Sequence, residues 1–116
     1  MNIANMTEPS NWRTVANCSD FPLSGLMDVL VGRRVILLVQ ANDTVLALQG
    51  LCPHQQARLA EGVLQDGALQ CPHHLAAFNI NDGRCTGGWQ LPPLKRYAVK
   101  VDGDEILLPD PLEEVV

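Results

Sequence analysis

Two short segments constrain this chain more than any other feature. Cys52-Pro53-His54 is followed by sixteen residues and then by Cys71-Pro72-His73-His74. Each segment puts a thiol and an imidazole on one tight loop, and Pro53 and Pro72 fix φ directly after each cysteine. Together the loops offer two sulfurs and two nitrogens, the donor set of a metal centre. A tetrahedral Cys2His2 zinc site could use the same four side chains. The order of residues speaks against it, because zinc fingers typically put a cysteine pair on one loop and a histidine pair on the other. Mixed loops suit an asymmetric binuclear iron–sulfur cluster, in which one iron takes both thiolates and the other both imidazoles.

Taken singly, a cysteine in a β-rich chain is most often a small buried hydrophobe, and an isolated histidine is a polar surface residue. Both readings fail together here. Two of the four cysteines and two of the three histidines fall where a cluster requires them. A Cys52–Cys71 disulfide is the remaining plain alternative, and a reducing cytosol disfavours it.

The rest of the composition narrows the class. A chain of 116 residues fits one domain, and 47% hydrophobic residues are enough for a core. Aromatics are only 4%, so leucine, valine and alanine must fill it. Eight basic against thirteen acidic residues give a net charge of −5. The basic residues form only the pairs Arg33-Arg34 and Lys95-Arg96, without the clustered footprint of a nucleic-acid binder. The longest apolar run, Val35 to Val39, is far short of the roughly 20 residues that span a bilayer. Met1 to Glu8 lack the charged start and apolar stretch of a signal peptide, so a cytoplasmic protein is expected.

Periodicity predicts a small all-β domain with a loop-rich insert. Arg13 to Ala16, Val29 to Val31, Val35 to Val39 and Thr44 to Leu48 read as strands, with turn chemistry at Ala41-Asn42-Asp43. From Gly50 to Pro93, histidine, cysteine, glycine and proline concentrate; Ala68 to Gln70 and Ala77 to Asn79 fit short strands. Leu59 to Leu64 has room for one helical turn. Tyr97 to Val101 and Glu105 to Leu108 flank Asp102-Gly103-Asp104 as a hairpin. The expected domain is 12–108, with a cluster-binding insert at about 50–93 and flexible termini at 1–11 and 109–116.

The chain resembles the Rieske ferredoxins from Trp12 to about Leu108. The resemblance rests on Cys52-Pro53-His54-Gln55, Leu59-Ala60-Glu61-Gly62, Cys71-x-x-His74, Phe78-Asn79, Gly83 and the Pro92-Pro93-Leu94 region. It implies that Cys52 and Cys71 bind one iron and His54 and His74 the other, one [2Fe–2S] cluster per chain. It also implies a small β-barrel or sandwich base carrying a cluster-binding subdomain, with the histidines near the surface and Pro92-Pro93 shielding the cluster.

Respiratory Rieske proteins add a cysteine to each loop, where this chain has Ala57 and His73, so their disulfide cannot form. They also place a serine and a tyrosine hydroxyl near the cluster, where this chain has Ala76 and Phe78. Missing donors to the sulfurs imply a low-potential carrier, near the lower end of the ~−150 to +300 mV range of Rieske centres. Low-potential members of this length resemble the ferredoxins of bacterial multicomponent oxygenases. The resemblance implies a non-catalytic, one-electron carrier between an NAD(P)H-dependent flavoprotein reductase and a terminal oxygenase, docking transiently around His54 and His74. Leu75 stands where most members have glycine; His74-Leu75-x-x-Phe78-Asn79, together with Cys52-Pro53-His54-Gln55, resembles the diiron monooxygenase type, and Gly87 to Pro93 does not choose between that and the Rieske dioxygenase type.

Two other readings stand beside it. One is the small Rieske subunit of a larger oxidoreductase such as an assimilatory nitrite reductase, which would co-purify with its large subunit. The other is a colourless structural zinc domain. His73 reads as a loop residue and is the reserve ligand of the second loop. Cys18 and Cys85 read as inert thiols, with Cys85 near enough to Cys71 in sequence to approach the cluster. Trp89 fits a cap over the loops or a docking anchor. Asp102, Asp104, Glu105, Asp110, Glu113 and Glu114 read as a solvated acidic tail.

Overall fold

The apolar run at Val35 to Val39 becomes the centre of a strand buried on both faces. A computed structural model describes residues 11–53, 56–72, 76–86 and 90–115. In it β2 (Leu26–Val31), β3 (Arg34–Ala41) and β4 (Thr44–Gln49) form consecutive antiparallel hairpins. Ile36, Leu37, Leu38 and Val39 have no exposed surface. Side chains alternate across a strand, so Ile36 and Leu38 face one apolar cluster and Leu37 and Val39 face another. β4 follows the same alternation, with Ala47 on the first side and Leu46 and Leu48 on the second. Each such fully buried side chain contributes about 1.5–3 kcal/mol relative to exposure.

The first cluster is the core of the base. Ile36, Leu38 and Ala47 meet Tyr97, Ile106 and Leu108. The latter come from β8 (Arg96–Tyr97) and β10 (Glu105–Pro109). β10 lies between β1 (Trp12–Asn17) and β9 (Lys100–Asp102) in a three-stranded sheet. A second sheet has the order β11-β8-β4-β3-β2, with β11 at Glu114–Val115. A third is β5 (Val63–Gln65), β6 (Ala68–Gln70) and β7 (Ala77–Asn79). All pairings are antiparallel. Among the described residues no helix is long and apolar enough to cross a membrane.

Turn chemistry sets the registers. Asn42 and Asp43, at φ 51° and 64°, close β3 onto β4 with the left-handed pair a type I′ turn requires. Asp66 and Gly67, at φ 53° and 77°, do the same for β5 and β6.

Two expectations are corrected. Tyr97 to Val101 is not one strand. Tyr97 pairs with Ala47 in the five-stranded sheet, whereas Lys100–Asp102 pairs with β10 in the other. Ala98 still follows the β11 register, donating its N–H to the Glu113 carbonyl, and the chain changes sheets between there and Lys100. The end of the chain is no free tail: Pro109 closes β10, and Glu114–Val115 pairs with β8, capping an otherwise open edge. The single helical turn expected within Leu59 to Leu64 is present as a 3-10 turn at Leu59–Glu61, followed by a strand at Val63–Gln65. The expected fraying of 1–11 lies outside the described residues except at Asn11.

The third sheet belongs to an excursion whose two ends meet. Gln49 donates its N–H to the Lys95 carbonyl, and the Lys95 N–H donates to the Gln49 side-chain oxygen, both at 2.8 Å. Everything between these residues leaves β4 and returns to β8 at one point.

Candidate metal centre

The two cysteine loops share one backbone plan. Cys52 donates its N–H to the Ala57 carbonyl at 2.9 Å, and Cys71 donates its N–H to the Ala76 carbonyl at 2.9 Å. Each bond closes a loop over five residues, with a proline directly after the cysteine. In the first loop Gln56, at φ 57°, also returns its N–H to the Cys52 carbonyl. Repetition of the same closure nineteen residues further on is what a site of two equivalent half-shells needs.

Both cysteines are buried and pack in the cluster under Leu37, Val39 and Leu48, with Leu59, Leu69, Ala76, Phe78, Ile80 and Leu94. None of the four cysteines forms a disulfide. Two thiols set into one apolar floor, on matching loops, fit the sulfur half of a binuclear cluster. His54, Gln55, His73, His74, Leu75 and Trp89 lie outside the described residues. The structure thus buries Cys52 and Cys71 in one apolar cluster.

The motif Leu59-Ala60-Glu61-Gly62 acquires a structural reason. Leu59 is fully buried, and its N–H donates to the Gly50 carbonyl at 2.9 Å. Gly62 has an ordinary extended backbone, φ −82° and ψ −161°, so its glycine serves space and not conformation. A Cβ there would collide with the Gln70 carbonyl, the residue directly before Cys71. The short turn therefore ties the exit of the first loop to the start of the second.

On the other side, Leu91 and Leu94 pack into the same floor while Pro92 and Pro93 stay exposed between them. Leu94 donates its N–H to the Gly83 carbonyl, and the missing side chain of Gly83 makes room for the Leu94 backbone. That seats Pro92-Pro93 at the edge of the site. Ala76 and Phe78, both buried beside the cysteines, offer no hydroxyl to a sulfur there. Cys85 pairs with Phe78 in an isolated bridge and packs against the same cluster. Cys18 sits apart, against the base core, with its N–H on the Asp104 carbonyl. The acidic residues are exposed, but half of them hold structure. Asp104 accepts from the Ser19 N–H and Oγ, Glu105 accepts from Thr14, and Asp110 pairs with Arg13.

Sequence reasoning missed Arg58 and Asp28. Arg58 Nε and Nη2 donate to the two carboxylate oxygens of Asp28, both at 2.9 Å. The bond to Asp28, then its charge, raises the Arg58 pKa above its ordinary value. The partners are thirty residues apart, and no periodicity or spacing links them.

Comparison with known proteins agrees with this geometry. The chain is 30% identical over 102 residues to the ferredoxin component of the naphthalene 1,2-dioxygenase/salicylate 5-hydroxylase systems of Ralstonia sp, covering 84% of this chain and 94% of the relative. It is 37% identical over 90 residues to the ferredoxin component of the alkene monooxygenase system of Xanthobacter autotrophicus, covering 72% and 70%. It is also 34% identical over 95 residues to the apoptosis-inducing factor 3 of Mus musculus, covering 82% of this chain but spanning only 16% of that longer relative. Among solved structures, a chain in the complex of reduced oxygenase and oxidized ferredoxin in carbazole 1,9a-dioxygenase superposes with a TM-score of 0.78 at 27% identity, covering 90% and 96%. The family model for the Rieske [2Fe-2S] domain matches residues 11–98, and on that match the chain belongs to the Rieske family.

Proposed function

We propose that this chain is a low-potential, one-electron carrier that takes electrons from an NAD(P)H-dependent flavoprotein reductase and delivers them to a terminal oxygenase in the cytoplasm. The observation that carries this reading is the pair of matched, buried cysteine loops on one apolar floor, in a chain that spans nearly the whole length of an oxygenase ferredoxin component. A [2Fe–2S] cluster in the site supplies reversible storage of a single electron. Cys52 and Cys71 hold one iron in this reading, and His54 and His74 the other.

What the chain itself contributes is insulation and tuning. Leu37, Leu48, Leu69 and Phe78 exclude water from the cysteine side of the site. Ala76 and Phe78 withhold the hydroxyl donors that would stabilise added negative charge on the sulfurs. The midpoint therefore belongs near the lower end of the ~−150 to +300 mV range of Rieske centres. Docking to the reductase and the oxygenase takes place at the loops around His54 and His74, through the small interfaces typical of redox encounters, below ~1,200 Å².

EPR of the dithionite-reduced protein tests the ligand set. The expected signal is rhombic, with an average g below that of all-cysteine [2Fe–2S] ferredoxins. It should be lost in His54→Ala and His74→Ala and kept in His73→Ala. A colourless, zinc-loaded, EPR-silent protein would overturn the reading. The carrier role is tested by reductase-driven bleaching of the isolated chain. Reduction that requires a co-purifying large subunit would point to the oxidoreductase-subunit reading.

A further inference from the structure

The two cysteine loops leave the site by different routes. The Cys71 loop opens directly from the β6–β7 ladder, which closes it at Gln70↔Ala77. The Cys52 loop has no such hairpin beneath it. A single bridge, Leu51↔Arg58, closes it before the chain turns through Leu59–Glu61. At that closing residue Arg58 reaches across to β2 and grips Asp28 with two parallel bonds of 2.9 Å. The Asp28 side chain is 16% exposed, so the fork is fixed on the base by a largely buried carboxylate. Glu61 adds a looser contact at 4.0 Å from Arg58 Nη1.

We propose that the Arg58–Asp28 fork is a positioning device that sets the separation of the Cys52 and Cys71 loops to what the cluster requires. The proposal rests on the assignment of both cysteines as ligands. The path between the loops is short and stiff. Arg58 is followed by buried Leu59, whose N–H is anchored on Gly50, and then by Gly62 against the Gln70 carbonyl next to Cys71. A shift of Arg58 along β2 is therefore passed through the turn and alters how the two sulfurs face each other. The bidentate geometry matters here as much as the charge, because a planar fork fixes orientation and a point charge does not.

The test uses the cluster-loaded protein with Arg58→Gln, Arg58→Lys, Asp28→Asn and the Arg58→Gln/Asp28→Asn double variant. Chelator-driven bleaching is followed well below the unfolding midpoint, together with the EPR line positions of the reduced state. Each single variant should bleach about fivefold faster, and the double variant no faster than the worse single one, because the two side chains act as a unit. Arg58→Lys, which keeps the charge and should fold, should shift the EPR lines and bleach like Arg58→Gln. Wild-type behaviour of Arg58→Lys would overturn the proposal, as would additive effects in the double variant. So would a lower unfolding midpoint with bleaching and EPR lines unchanged. A wild-type chain that takes up no cluster would overturn the ligand assignment and this proposal with it, whereas a loaded wild type with indifferent variants removes the fork alone.

Discussion

The base and the cysteine-bearing lobe are held together by different means. In the base, β2, β3 and β4 pair over six residues at each junction, and the buried faces are continuous aliphatic surface. In the lobe, β5, β6 and β7 pair over only three residues each. Ladders that short are marginal by themselves. Beyond the apolar cluster it shares with β3 and β4, the lobe relies on contacts that each depend on one residue: the closures at Cys52 and Cys71, the close approaches at Gly62 and Gly83, and the fork at Arg58. The difference teaches where tolerance to substitution resides. An extended aliphatic surface loses in proportion to what is removed, and a single-residue contact is lost whole.

The sharpest way to break this comparison is at β3, which serves both regions. Leu37→Ala and Leu38→Ala should each cost about 2–5 kcal/mol in denaturant unfolding, since both side chains are fully buried. Only Leu37 faces the cysteines. Its variant alone should hasten cluster loss under native conditions, and equal loss from both would refute the two-sided reading of β3. A smaller effect is expected at Gly62→Ala, where an added methyl must displace the Gln70 carbonyl, at about 1–3 kcal/mol. That change should weaken cluster retention more than it lowers the unfolding midpoint, and the reverse ranking would place Gly62 with the base. Smallest in stability is Ala76→Ser. Voltammetry should show its midpoint moving upward as a hydroxyl comes within reach of a sulfur, with thermal unfolding little changed; a midpoint that stays put or falls would show that the hydroxyl finds another partner.

Much of this fold is legible in the residues alone. The central hairpins announce themselves through β-branched runs broken by Gly32 and by Asn42-Asp43, and the Cys-x-His and Cys-x-x-His segments mark the two loops whose cysteines share one backbone closure. The rest depended on long-range geometry. Tyr97 to Val101 looks like one alternating strand, yet its halves belong to different sheets because Tyr97 is needed in the base core while Lys100–Asp102 completes the ladder with β10. Val63-Leu64-Gln65 is too short to carry a period. The Arg58–Asp28 fork joins residues from separate elements and leaves no trace in spacing. Glu114-Val115 reads as polar tail and becomes a strand only because the β8 edge is there to receive it.

The junction at Gln49 and Lys95 has a consequence for how such a molecule can change. Because the two stems of the lobe touch, the base sees residues 50–94 as a loop whose ends are already joined, and the entropy of closing it rises only slowly with its length. The lobe is in that sense a cartridge. Longer, shorter or differently liganded versions can be spliced between β4 and β8 while the strands beneath keep their register, so one base can be refitted with a new docking face or a retuned centre without being redesigned.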